Sequence, residues 1–476
     1  MKAIKRIAVA ALALILCIAV GACGNSSSTS PGESKPAGQA GSGDSSTPSG
    51  SDAATVRDPG KVKLTYTYWG STYEKDVITK AMQKFMDETG YTVELIHIPS
   101  DYETKLSTMI AGNDAPDAGY LGPPTAYKWF DDGILYDIKE FFLEDDSIKE
   151  EDYLPGAIGR RGDGIIGIMN SLESYAIWYN KAAFAEAGIT DVPLKPEDAW
   201  TWDEFVEIAK RLTIDNNGRN ALDPNFDPNN IKQYGFHMNF WSGPFEALLL
   251  RNGTQYYPNM QDECAIGTKK FNEVFQNVAD LINVHHVMPS PTALKSIPSS
   301  SVALQSRRYA MTLDGQWVCN DYAPVEDLDY GICQIPKMTD TTSIYSSPFG
   351  VIFADTEFPR ETWELTRFIT DPVNCIEIFR DGLWMPTKVA YYTEEDKIAM
   401  WASESRARVK GYREVLIDPL MTNAQVSGEV YVKNFGDIGN IMYPALDQVW
   451  SGEKTVDQVM QEIMPELQPL LQGVLK

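Results

Sequence analysis

The stretch KVKLTYTYWGSTYEKDVITKAMQKFMDETGYTVELIHIP, Lys61 to Pro99, holds a complete strand–helix–strand unit. Val62, Leu64, Tyr66 and Tyr68 alternate with polar residues, so one face of a strand is apolar. Val77, Ile78, Ala81, Met82, Phe85 and Met86 then fall on one helical stripe, and Gly90 ends it. YTVELIHIP reads as the next strand. Two strands joined by a helix of this length pair side by side in the same direction, so a parallel sheet is expected. A further helix, DYETKLSTMIAG (101–112), closes on Gly112.

Downstream the same alternation continues. TWDEFVEIAKRL places Thr201 and Glu204 as a capping box, with Phe205, Ile208, Ala209 and Leu212 on one face. TVDQVMQEIM repeats the device with Thr455 and Gln458. DYGICQIP (329–336) and PFGVIFAD (348–355) read as strands. No internal repeat is present. The pattern describes an α/β chain in two lobes, and its length and apolar content suffice for a real core.

Upstream the composition changes. Lys2, Lys5 and Arg6 precede a continuous apolar run, Ile7 to Val20, and then Val20-Gly21-Ala22-Cys23. This is the three-part layout of a secretory signal, and the run is shorter than the ~20 residues of a membrane span. The end of it resembles a bacterial lipobox, with Val at the first position rather than the usual Leu. That resemblance implies cleavage before Cys23 and lipid on its sulfur. Cys17 lies inside the apolar run and is expected to leave with it. Residues 24–55 are Gly, Ser, Pro and Ala with almost no large apolar side chain. Such a segment cannot bury enough surface to order itself, and reads as a tether. Its long Ser/Gly form resembles Gram-positive lipoproteins. The expected organisation is a signal peptide over 1–22, a tether over 23–60, and a folded body from 61.

The chain has 41 basic and 66 acidic residues, a formal charge of −25. A surface this acidic repels nucleic acid and anionic lipid head groups. The body's four cysteines, Cys264, Cys319, Cys333 and Cys375, match no zinc spacing. One or two disulfides or four buried thiols all fit an exported protein. A body this large does not need bridges, which favours thiols.

Catalytic signatures are missing. There is no phosphate-binding Gly-x-x-x-x-Gly-Lys-Ser/Thr loop and no Gly-x-Ser-x-Gly elbow in the body. The four histidines are His97, His237, His285 and His286. The last two are adjacent, so on a helix they point about 100° apart and chelate poorly. DNNGRNALD (215–223) resembles a calcium loop only faintly, because Gly218 is misplaced and Arg219 stands where an oxygen ligand belongs. No metal, cofactor or catalytic residue is expected. Carboxylates abound, so a secreted glycosidase remains an alternative, although no pair stands out.

Several segments, in order, resemble the family 1 extracellular solute-binding proteins of ABC importers, the group that contains maltose-binding protein. They are DYETKLSTMIAGNDAPDAGYL (101–121), with Gly112, Ala115, Pro116 and Asp117 in place, and GILYDIKEFF (133–142). GIIGIMNSLESYAIWYNKAAFAEAGI (164–189) follows, and its Tyr179-Asn180-Lys181 before Phe184 and Gly188 is the most specific match. Then come TWDEFVEIAKRLT (201–213), YAMTLDGQWV (309–318) with YGICQIPK, GLWMPTK (382–388) and ALDQVWSGEKTVDQVMQEI (445–463). The resemblance implies a two-lobe periplasmic-binding-protein-like fold with a hinge and an interlobe cleft. Lobe one would be 61–172 and 350–386, and lobe two 174–347 and 389–476. It implies a monomeric carrier, not an enzyme, that captures a carbohydrate, expected to be an oligosaccharide. Lipid would tether it to the outer face of a Gram-positive cell membrane, where it serves ABC permease subunits. A polyol, a glycerophosphodiester or a peptide is the alternative ligand. Arginines facing the cleft, from Arg160, Arg161, Arg307 or Arg308, would favour an anion.

Sugar sites pair aromatic faces with planar polar groups for the hydroxyls. Trp69 ends the first strand at its carboxyl end, where open α/β sheets bind ligands, with Tyr68 and Ser71 beside it. Tyr120 and Gly122 end the strand that starts at Pro116-Asp117. The resemblance adds Glu173, Asn239 and Trp241 in MNFWSG, Trp317 with Asp314 nearby, and Trp384 by the last crossover. Asp117 is expected to brace its strand, and Tyr179-Asn180-Lys181 to be structural.

Overall fold

The computed structural model describes residues 58–475; the leader, Cys23 and the tether to residue 57 lie outside them. Lys63–Tyr68 (β1), Thr92–His97 (β2), Ala118–Leu121 (β3), Ile158–Arg161 (β4) and Gly164–Met169 (β5) come first. Glu173–Asn180 (β6), Ile214–Asp215 (β7), Ile231–Met238 (β8), Tyr309–Gly315 (β9) and Tyr330–Cys333 (β10) follow. Ser343–Ser346 (β11), Phe349–Ile352 (β12) and Ala424–Val426 (β13) complete the set. They form two sheets. One has the order β2-β1-β3-β12-β5-β4, and the other β13-β11-β6-β9-β8-β7 with β10 also paired to β6.

The opening stretch folds as its pattern requires. β1 and β2 pair in parallel, Lys63 opposite Thr92, around the helix Thr72–Thr89 (α1). The α1 stripe buries Val77, Ile78, Ala81, Met82 and Phe85 against the sheet. Full burial of such a side chain stabilises by roughly 1.5–3 kcal/mol. Gly90 closes α1 in the left-handed conformation at φ 76°. The capping boxes form as well: Thr201 Oγ1 accepts from Glu204 N, and Thr455 Oγ1 from Gln458 N.

The sheet as a whole is not parallel. β1, β2 and β3 are, but β12, β5 and β4 run antiparallel to their neighbours. Parallel partners need a crossover helix, whereas β12 arrives directly from β11 through Ser347 and Pro348 alone. The chain also passes from β5 to β6 through only residues 170–172. A third passage runs by Leu383–Lys388, where Leu172 bridges Met385.

Gln316 ties the passage at 170–172 to the one by Leu383. Its Oε1 accepts from Ser174 N at 2.9 Å, and its Nε2 donates to Leu172 O at 3.3 Å and Leu383 O at 3.0 Å. Ser171 and Ser347 join the passage at 170–172 to the one between β11 and β12 through their hydroxyls, 2.9 Å apart.

Candidate ligand cleft

A cavity of about 410 Å³ gathers residues from both sheets and all three passages. Trp69, Gly70, Ser71, Glu74, Tyr120, Gly122 and Pro123 come from the first sheet's side, and Trp241, Trp317 and Glu429 from the second's. Ser171, Ser347, Pro348, Leu383 and Trp384 come from the passages, and Glu173 from the start of β6.

Each aromatic is placed by a local device. Trp69 follows β1 directly, and its ring lies 4.3 Å from that of Tyr120, edge-on at 89°. Tyr120 also meets Trp384 at 6.5 Å. Trp241 precedes the helix Ser242–Arg251 and is 42% exposed. Trp317 follows β9, lies 6.0 Å from Trp241, and is braced edge-on by Tyr175 at 5.5 Å. Gly315 makes that packing feasible, since a Cβ there would sit 2.0 Å from the Trp317 ring.

Three carboxyls share the cavity. Glu74 stands in the first turn of α1, its backbone N–H donating to Ser71 Oγ at 3.2 Å. Its carboxyl occupies the space a Cβ at Gly70 would take, 1.8 Å away, and Gly70 holds a φ of 116°. The Tyr120 hydroxyl faces both Trp69 O at 2.9 Å and Glu74 Oε1 at 2.5 Å. Burial raises Glu74 to about 7, against the pull of the Tyr120 bond. Glu173, at the start of β6, is pushed up to about 8 by burial and then by Glu429 and Glu74. Burial also raises Glu429, which accepts from Ser346 Oγ.

Of the residues singled out from sequence, Trp69, Ser71, Tyr120, Gly122, Glu173, Trp241, Trp317 and Trp384 line this cavity. Tyr68, Asn239 and Asp314 do not. Tyr68 belongs to the apolar face of β1, fully buried and stacked on His97 at 5.1 Å. Asp314 is a buried β9 residue whose Oδ1 accepts from Gly315 N at 2.9 Å. Burial raises it to about 7. Glu74, Glu429, Ser171 and Ser347 line the cavity without having been singled out. Only Glu74 had a signal, as an acid three residues after a capping serine.

Residues 80–403 match the bacterial extracellular solute-binding protein family. The chain belongs to that family. Membership places it among extracellular carriers rather than enzymes. No curated protein matches it in sequence. Among solved structures, an ABC substrate-binding protein of Listeria monocytogenes in complex with cycloalternan is 17% identical with a TM-score of 0.72, covering 86% of this chain and 98% of its own. Maltose-bound MalE3 of T. maritima is 17% identical, TM-score 0.68, covering 86% and 100%. The cyclic alpha-maltosyl-1,6-maltose binding protein of Arthrobacter globiformis is 16% identical, TM-score 0.65, covering 86% and 99%. These likenesses establish the two-lobe solute-binding fold.

For a solute-binding protein the lobe-joining cavity, walled by four tryptophans, is the natural site; other cavities among the described residues are lined differently. A cavity of about 620 Å³ is lined by Arg360 and Arg367, which are already paired with Glu144 and Asp145. Another of about 660 Å³ lies against the helices Lys269–Asn283 and Val456–Leu467, with no aromatic lining. Arg160, Arg161 and Arg307 pair with Glu150, Asp131 and Glu186, and neither they nor Arg308 line the cleft. The loop at Asp215 satisfies itself, Oδ1 accepting from Asn217 N and Arg219 N, and Oδ2 from Arg219 Nε and Asp227 N. Asp117 braces its strand by accepting from Thr65 and Thr356. Asn180 caps a helix through Ala183 N, and Lys181 pairs with Asp329. All four cysteines are free thiols, three buried and Cys264 half-buried. Among the described residues no cluster of side chains could hold a metal ion.

Proposed function

We propose that the chain captures a carbohydrate in this cleft by closure of two lobes, 61–172 with 350–386 against 174–347 with 389–476, and delivers it to an ABC importer permease. In this reading it belongs with the maltose-binding-like carriers, acts as a monomer, and is held at the outer face of a Gram-positive cell membrane by lipid on Cys23.

One observation carries the reading. Trp69, Trp241, Trp317 and Trp384 face a single cavity beside Glu74, Glu173 and Glu429. Aromatic faces pack on the C–H side of a pyranose, and carboxyls take hydroxyls that would otherwise cost affinity when buried. A volume of about 410 Å³ falls within the range of small-molecule sites. Three chain passages, linked through Gln316 and through Ser171 with Ser347, form the natural hinge. Proteins of like fold bound to cycloalternan and maltose support a saccharide.

The test is intrinsic tryptophan fluorescence of residues 58–476, titrated with mono- and oligosaccharides, with the sugars recovered by chromatography. Saturable change with the sugar intact is the expected result. Silence across the panel would overturn the carbohydrate reading, and cleaved sugar would replace it with a glycosidase.

A further inference from the structure

The charge balance of the cleft points to a narrower class of ligand. Resting on the carbohydrate reading above, we infer that the saccharide carries a protonated amine, which sits among Glu173, Glu74 and Glu429 against the tryptophan faces.

The cleft is lined by three acids and by no lysine, arginine or histidine. Asp145 pairs with Arg367 and Asp215 with Arg219, while the buried Asp314 and Glu246, outside the cleft, have neutral N–H or O–H donors instead. Within the cleft the acids face only one another and neutral donors. Glu74 is satisfied by Tyr120, and Glu429 by Ser346. Glu173 has no such partner: the charged groups acting on it are Glu429 and Glu74, both of its own sign. A neutral hydroxyl could donate to one of these carboxyls, but it brings no positive charge to a site lined by acids alone. An ammonium offsets the charge of a carboxyl that ionises beside it and donates up to three hydrogen bonds at once.

The four tryptophans favour the same ligand. The face of an indole attracts a cation, most strongly where water is excluded. Trp241 and Trp317 present their rings 6.0 Å apart at 36°, forming one wall of the cavity.

Further titratable groups surround the acids. Glu103, on the helix Tyr102–Ala111, adds repulsion at Glu429. Tyr175 lies on β6 beside Glu173, with Asp314 on β9 and Glu246 on the helix Ser242–Arg251 acting on it in turn. None is basic. Lys128, Arg161 and Lys433 line a neighbouring cavity that Glu429 also touches, and the first two are paired with Asp132 and Asp131.

Burial keeps Glu173 protonated to about pH 8 and Glu74 to about pH 7. An ammonium entering near neutral pH therefore displaces a proton from the site. A neutral sugar has no reason to do so.

The experiment is calorimetric titration at pH 6.5, in two buffers of different ionisation enthalpy, of residues 58–476 with β-1,4-linked glucosamine oligomers. Their N-acetylated counterparts and maltooligosaccharides of equal length serve as neutral probes. The amine form should bind on the order of tenfold to a hundredfold more tightly than either, with a net proton release once the proton taken up by the free amine is subtracted. Glu173→Gln and Glu429→Gln should each remove that advantage while leaving the far-UV circular dichroism of the free protein unchanged. Equal or tighter binding of a neutral oligomer, or binding without proton release, overturns this inference and leaves the carbohydrate reading intact. Failure of every saccharide to bind overturns both.

Discussion

Asp215 and Glu173 are both acids withdrawn from water, and they behave in opposite ways. Asp215 accepts four hydrogen bonds and pairs with Arg219, which holds its carboxyl below the ordinary range despite burial. Glu173 has two other acids for company and is pushed up to about 8. Burial raises both; partners decide which way the balance falls. A carboxyl with every lone pair engaged belongs to the architecture. One left without a partner beside aromatic faces is, in the function proposed above, a ligand contact.

The contrast can be broken experimentally. Asp215→Ala should give the largest loss of thermal stability, several degrees or more in Tm, because four donors lose their acceptor at once. Ligand affinity should not change; if it does, the loop is not purely structural. Trp317→Ala should do the reverse. It should weaken sugar binding about a hundredfold, as truncation of a central aromatic anchor does, with circular dichroism unchanged.

Gln316→Ala tests the uncharged counterpart of Asp215. It severs contacts to Ser174, Leu172 and Leu383 together, and should cost about 1–3 kcal/mol in denaturant unfolding. Retained stability would mean the passages are held by other contacts.

The pH dependence of Glu173 is smaller and has a definite sign. In the unfolded chain a glutamate ionises near ~4.3. Folded Glu173 keeps its proton to about 8, so the native state binds more protons throughout that window. Stability of the ligand-free protein therefore falls as pH rises from the first value through the second. Asp215 runs the other way: its stabilisation is present above the unfolded value and is lost on acidification. Glu173→Gln should flatten the upper limb and stabilise the ligand-free protein at pH 8. An unchanged limb would show that Glu173 is ionised and solvated. Arg307→Ala, breaking an exposed pair with Glu186, should change stability by less than ~1 kcal/mol and leave binding untouched.

Much of the fold is legible in short-range pattern. The β1–α1–β2 unit follows from alternation in Val62 to Tyr68 and the stripe from Val77, and the capping boxes at Thr201 and Thr455 mark helix starts. The antiparallel half of the first sheet is not legible in the same way, because β12 reaches it from the other sheet. The cleft divides similarly. Trp69 is readable because it ends a strand. Tyr68, one residue earlier, is the last residue of β1 and fully buried with Tyr66. Glu429 lies in a four-residue helix with no periodicity to announce it. It reaches the cleft because β13 pairs with β11 and Ser346 holds its carboxyl.

The sequence by itself determined the elements, their caps and the supply of aromatic and acidic side chains, since these depend on neighbours a few positions apart. Only the tertiary structure decided that Trp69, Glu173, Trp317 and Glu429 share one cavity while Asp215 and Asp314 do not. That assignment depends on strand pairings and chain passages between residues far apart in sequence, where a carboxyl's partners, and so its charge, are set by packing.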